Sequence, residues 1–337
     1  MTGRSEHRWA RALPCPSFRN GPLLKAEPTL NLQAIFLACF LFMIGGSSIA
    51  AVGEITIDDR NVFPESLSST PDGVLYIGSN LGRIYRARPG QPYGEPWIDP
   101  ADSGLHKGLR GILADAAANS LWVCDDFGRD SSLVRFDLKS RRRLATYPFP
   151  GGGHCNDISL KAGDVYVTDT NNGRILKLAK GAAVLREWYK QDDRSLDGLV
   201  WARDGKLYTN TYSTHHLIRI DVNPDGKAEK GVVLETSQPL YQPDGMRLAR
   251  DGRLLLVEGR AAPGAPLKDG RLDEVRIAGD RAEIKVLRSG FELPTAVTVA
   301  AGKAWVLESK FDYLRNPAVK GQDPGSFHVY AVRLDKR

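Results

Sequence analysis

The chain has 337 residues, 34 of them glycine, 42% hydrophobic overall, with a formal net charge of +6. That composition is too apolar for a disordered chain and long enough for a large core. The positive excess is scattered, part of it in Arg4, Arg8, Arg11, Arg19 and Lys25. No basic stripe interleaved with aromatics occurs, so no nucleic-acid partner is expected.

The first element is an apolar run, Ala34–Ile44, preceded by a basic leader and followed by GGSSIAAVG. This is the pattern of a signal peptide, with Ser48 and Ala50 as the small residues before a cleavage site. Residues 1–50 are therefore expected to be a signal segment, and 51–337 a single exported domain, periplasmic or secreted. The run is shorter than the roughly twenty residues that span a bilayer; an uncleaved anchor is the alternative, with no other membrane association expected. Export removes Cys15 and Cys39 and leaves Cys124 and Cys155 in an oxidising compartment. A bridge and two buried thiols both remain open, because sequence does not give the Cα separation that a disulfide requires.

Beyond the leader the chain repeats itself. A turn, often Asp-Gly, is followed by a β run, a polar loop and a second β run. Clear copies are TPDGVLYIGSNLGRIYRAR from Thr70, KAGDVYVTDTNNGRILKLAK from Lys161 and ARDGKLYTNTYSTHHLIRID from Ala202. Fainter copies begin at Ala117, Ala249 and Ala300. The β runs start at Leu75, Leu121, Val165, Leu207, Leu254 and Ala304. Repeats of 40–50 residues with strands and no helix between them predict propeller blades of four strands each. Six copies predict an all-β, six-bladed β-propeller, expected to act as a monomer. The run Ser326–Leu334 is expected to complete the last blade, with a strand donated from just after the signal segment.

The repeat also serves as a ruler. About ten residues before each β run lies the lead-in to the innermost strand, which lines the channel. The ruler picks Glu65, Gly111, Asn156 (one residue out of step), Asp197, Asp244 and Pro294. Four of the six carry oxygen ligands and three of those are carboxylates. Like charges converging in a partly desolvated channel repel strongly. A divalent cation held by Glu65, Asn156, Asp197 and Asp244 resolves that repulsion. Oxygen-only ligands favour calcium or magnesium, and calcium tolerates an irregular set better; Zn2+ and Mn2+ stay open. Each Asp-Gly taken alone is an ordinary turn, so the expectation rests on register across blades. The pair His215-His216 is placed on a surface hairpin away from the mouth. GGGH at Gly151–His154 lacks the Lys and Ser/Thr of a P-loop.

In order and spacing these motifs resemble the gluconolactonase and senescence marker protein (regucalcin) family, related in design to paraoxonase and diisopropyl fluorophosphatase. The resemblance implies a six-bladed propeller with a metal held by Glu, Asn and Asp at the channel end. It matches Glu65, the pair Asn156-Asp157, the segment Asp197-Gly198-Leu199, where many members have asparagine first, and Pro243-Asp244-Gly245-Met246. His154 stands where arginine often contacts sugar lactones, which puts that specificity in doubt. Arg110, His154 and Asn156 are the expected substrate contacts. The implied reaction is metal-assisted hydrolysis of a lactone or related ester on a small-molecule substrate. Asp244 is the candidate general base, with His154 as the alternative. A non-catalytic binding propeller with a structural metal, and a strictosidine-synthase-like enzyme, are the rival readings.

Overall fold

The computed structural model describes residues 53–335 except Phe127 and Arg129. The expected signal segment, and Cys15 and Cys39 with it, lie outside the described residues.

Local pattern sets the hairpins first. TPDGV, ARDGK and ARDGR each close a tight turn on a glycine at positive φ: Gly73 (90°), Gly205 (83°) and Gly252 (88°). The same backbone bond ties all three, Thr70 N to Val74 O, Ala202 N to Lys206 O and Ala249 N to Arg253 O, at 2.8–3.0 Å. Glycine takes this conformation without a Cβ clash. Each turn joins the innermost strand of a blade to the next one out.

Six small sheets result, four-stranded except the fifth, which gains a short parallel strand at its outer edge. Within each blade the remaining pairings are antiparallel. The innermost strands are Pro64–Ser69, Leu109–Asp115, Cys155–Lys161, Leu196–Trp201, Pro243–Leu248 and Pro294–Ala300. The second strands, such as LYIGS and LLLVE, are buried along their whole length, whereas the outer strand RLATYP is mostly exposed. That gradient is what radial packing of blade against blade demands. Apolar clusters fill the space between neighbours; Trp122, Ile158, Val167 and Leu176, for example, pack blade two against blade three.

The ring closes as expected. Glu54–Ile57 pairs with Phe327–Arg333, so the last blade takes its outermost strand from the N-terminal end of the domain. Ile57, fully buried, packs with Leu67, Ile77, Tyr85 and Phe327 across that seam.

Around the axis the innermost strands approach closely. A Cβ on Gly111 would lie 2.0 Å from the carbonyl oxygen of Asn156, and one on Gly198 would lie 2.4 Å from that of Asp244. Backbone cannot yield as a side chain can. Gly111→Ala is therefore expected to cost about 1–3 kcal/mol, read as a shift of the urea midpoint with unchanged slope.

Candidate functional site

Each innermost strand shows a register shift against its neighbour within its first few residues: between Pro64 and Ser66, Leu109 and Ile112, Cys155 and Ile158, Leu196 and Leu199, Pro243 and Met246, and Pro294 and Ala296. A bulge re-aims the side chain it carries. The residue at the second position of all six strands accordingly sits at one end of the channel: Glu65, Arg110, Asn156, Asp197, Asp244 and Thr295.

This corrects the ruler at two blades. The ring position in blade two is Arg110, not Gly111, and in blade six Thr295, not Pro294. The hairpin between first and second strands is one residue longer in blade two and one shorter in blade six than in blade one, as the pairs Ile112–Val123 and Val297–Val306 show against Leu67–Ile77. Blades two and six thus contribute a guanidinium and a hydroxyl to the ring.

The ring is buried and acidic. Glu65, Asn156, Asp197 and Asp244 are each no more than 9% exposed. Burial pushes the Glu65 carboxyl up to about 8, opposed by Arg110 and reinforced by Asp197. Burial likewise pushes Asp197 up to about 7, with the Asp157 charge adding to it and His154 and Asn156 opposing. Asp244 lies well above the ordinary carboxyl range because of burial and the facing Asp197 and Glu65 charges. The Asp197 carboxyl stands against that of Asp244 and adds to its rise. Glu65 Oε1 lies 3.8 Å from Arg110 Nη1, while Glu65 Oε2 is buried with no hydrogen-bond partner among the described residues. Such a set holds its protons or a cation, since three bare carboxylates at this spacing are not tolerated.

Below the ring the chemistry differs. Asp157 follows Asn156 where three other blades place glycine. Its carboxylate takes the amides of Ile158 (2.8 Å) and Leu199 (2.9 Å) and both Nη atoms of Arg247 (2.8 and 3.0 Å). Asp157 is thereby committed to the channel wall. Between this pair and the ring lies a cavity of about 20 Å3, bounded by Glu65, Asn156, Asp197, Asp244, Asp157 and Arg247. That is room for one water or one ion.

Above the ring a second tier comes from the residue that follows each second strand. Asp126, Thr170 and Tyr212 hold this place in blades two, three and four. Asp126 Oδ2 meets His154 Nδ1 at 2.9 Å, and its other oxygen accepts from Ser131 Oγ, which also donates to Gly153 O at 3.0 Å. His154 is thus held through Nδ1 by a buried carboxylate. Thr170 Oγ1 accepts from Asn156 Nδ2 (3.1 Å) and donates to Leu196 O (2.7 Å). Tyr212 has its phenol pushed up by burial and by Asp244 and Asp197, so it stays protonated as a donor over the ring.

One further set fixes the loops that carry the site. The last residues of the second strands, Asp125, Asp169, Glu258 and Glu308, are buried and accept the amides of His106, His154, Tyr241 and Glu292. Each bond anchors the segment that leads into its own blade's innermost strand. Cys124 and Cys155 are joined by a disulfide, Cα–Cα 5.2 Å, which resolves the alternatives left open by the sequence. It links the second strand of blade two to the residue directly before Asn156.

The mouth cavity holds about 340 Å3 and includes Glu65, Arg110, His154, Asn156, Asp197 and Asp244 in its lining. The six expected site residues therefore converge on one pocket of small-molecule size. The sequence reading missed Asp126, Tyr212, Arg194, Phe311 and Arg315. It also misplaced the His215-His216 hairpin, which connects second and third strands and so lies on the mouth face; its first residues, Tyr212 and Ser213, line the cavity, and His215 packs against Tyr241.

As it stands the ring is not a ready-made cage: no group of three His, Cys, Asp or Glu side chains among the described residues is arranged as metal ligands. The donor set itself suits a hard cation: carboxyl and amide oxygens, one of them an orphaned buried oxygen, beside a cavity of ionic size.

Proteins of known structure share this fold. A gluconolactonase from Xanthomonas campestris matches with TM-score 0.60 at 15% identity, over 84% of this chain and 91% of that one. A luciferin-regenerating enzyme matches with TM-score 0.58 at 13% identity, over 82% and 94%. A virginiamycin B lyase from Staphylococcus aureus matches with TM-score 0.55 at 14% identity, over 81% and 82%. No protein-family model and no curated protein matches the sequence.

Proposed function

We propose that the protein is a metal-assisted hydrolase of a lactone or related ester. The observation that carries the reading is the trio of buried carboxyls, Glu65, Asp197 and Asp244, all held far above their ordinary range beside an ion-sized cavity. Glu65, Asn156, Asp197 and Asp244 would hold a divalent cation, with calcium the best fit to an irregular oxygen set. When bound, the cation supplies Lewis-acid polarisation of an ester carbonyl and neutralises the developing oxyanion.

The chain's own residues do the rest. Asp244 accepts the proton of the attacking water. His154, oriented through Nδ1 by Asp126, offers its second nitrogen to the cavity as the alternative acceptor. Arg110 and Asn156 position the acyl group, and Tyr212 donates a hydrogen bond from the rim. The gluconolactonases among the proteins of similar fold support this reading at the level of shared architecture. The Cys124–Cys155 bridge supports an exported location.

The test is metal analysis of the purified protein coupled to a panel of lactones and phenyl esters assayed before and after chelation. Turnover that disappears with the chelator and returns with Ca2+ is the expected result. Turnover untouched by chelation removes the metal from the reaction, and no turnover on any member leaves a binding propeller as the better description.

A further inference from the structure

The mouth cavity is acidic at its floor and basic at its rim. Arg110 is partnered, with Glu65 at 3.8 Å and Asp126 at 4.0 Å. Arg194 and Arg315 line the same cavity, yet among the described residues neither forms a salt bridge. Their nearest acidic neighbours in sequence are engaged elsewhere. Asp193 accepts from Ser195 Oγ and Thr214 Oγ1, and Asp312 pairs with Arg260.

An exposed arginine is ordinarily just a solvated one. Two features set Arg315 apart. Its guanidinium carbon lies 4.9 Å from the ring of Phe311, which is 3% exposed and packs 6.3 Å from Phe63. The turn that presents it, Asp312–Arg315, belongs to a long connection pinned by Lys310 Nζ to the carbonyls of Pro324 (3.0 Å) and Ser326 (2.7 Å). The side chain is thus backed by a fixed aromatic wall, which lowers the ordering cost of gripping a ligand. Arg194 comes from the connection between blades three and four, whose neighbour Ser195 is buried. Two guanidiniums from opposite connections therefore reach one cavity with no salt-bridge partner among the described residues, Arg315 acting on the ring only through its field at Glu65.

We propose that Arg194 and Arg315 bind an anionic group, a carboxylate or phosphate, on the substrate, remote from the bond that is cleaved. The inference rests on the hydrolase reading for the word substrate, but its charge argument is independent of it. Guanidinium forks match both oxyanions bidentately. A substrate so held spans the cavity, with its anion at the arginine rim and its ester carbonyl at the carboxylate ring. A neutral sugar lactone leaves the two charges unused.

The experiment compares three matched lactones that differ in one substituent: hydroxymethyl, carboxylate and phosphate monoester. Each is assayed on the Ca2+-supplemented full chain and on the double variant Arg194→Ala/Arg315→Ala, with thermal unfolding as the check of folding. The expected result is a kcat/KM at least tenfold higher for one anionic lactone than for the neutral one, collapsing to a ratio near one in the variant. The better of the two anions then names the group. Turnover without that preference, or a preference that survives in the variant, overturns the anion site and leaves the hydrolase reading standing. If no lactone is turned over, the hydrolase reading falls, and calorimetric titration of the two anionic lactones decides the rest. Binding by the wild type that is lost in the variant upholds the site; no binding, or equal binding, overturns it.

Discussion

In the presence of chelator the protein is expected to lose stability as pH rises from 5 to 8, and Asp244→Asn is expected to flatten that loss. Folding raises Glu65 to about 8 and Asp197 to about 7, and Asp244 well above its ordinary value. The folded state thus binds more protons than the unfolded chain between about pH 4 and 8. Stability is fully present below the unfolded carboxyl range and falls as pH climbs through the folded values. One proton lost across about two pH units costs on the order of 3 kcal/mol. Asparagine at 244 removes one charge and supplies an amide that donates to Asp197, so Glu65 and Asp197 ionise at lower cost. Saturating Ca2+ acts oppositely on the wild type, adding about 3 kcal/mol at a hundredfold excess over Kd, and the variant should lose most of that gain. Its turnover is expected to fall by about 10²–10⁴-fold, the range of a lost general base. Denaturant titrations at pH 5, 6.5 and 8, with chelator and with Ca2+, check the whole pattern. A flat profile in chelator would mean the ring is not desolvated as described. Full Ca2+ stabilisation of the variant would remove Asp244 from the cation's ligands.

The two halves of that prediction were not equally legible in the sequence. The propeller is written in the Asp-Gly hairpins, because the same turn chemistry recurs wherever an innermost strand reverses into the second. Four of the ring positions follow from the same ruler. It slipped at Gly111 and Pro294 because the hairpin between the first and second strands is one residue longer in blade two and one shorter in blade six, and a one-residue slip in a strand moves the side chain to the opposite face. The tier above the ring was recoverable: Asp126, Thr170 and Tyr212 stand one place after the second strand, a position the same repeat could have aligned. Arg247 is different. Its partner Asp157 lies on another blade, ninety residues away, and only closure of the ring brings them together. Arg194 and Arg315 carry no repeat signal at all, since they sit on the connections where blades differ from one another. That is where substrate preference is free to vary without disturbing the blades.

Replacing both cysteines by alanine is expected to cost about 4 kcal/mol, the largest stability effect for a change outside the ring. Cys124 and Cys155 are both fully buried and are separated by 31 residues of sequence. Closing a loop of that length removes chain entropy from the unfolded state worth about 4 kcal/mol at 25 °C in the loop-entropy account. For a domain of this size the melting temperature should fall by roughly 8 °C. The bridge also has a local consequence. Cys155 opens the innermost strand of blade three, with His154 before it and Asn156 after it, while Cys124 adjoins Asp125 and, through it, Asp126. The disulfide therefore ties the carboxylate that orients His154 to the strand that begins directly after His154 and carries Asn156. Loss of the bridge should weaken Ca2+ binding beyond what global stability explains, measured well below the melting transition where the variant remains folded. A variant within about 1 kcal/mol of wild type would show that the blades alone hold this seam. Unchanged Ca2+ affinity alongside the stability loss would confine the bridge to the unfolded chain, with Asp169 and its bond to the His154 amide sufficient to place the site.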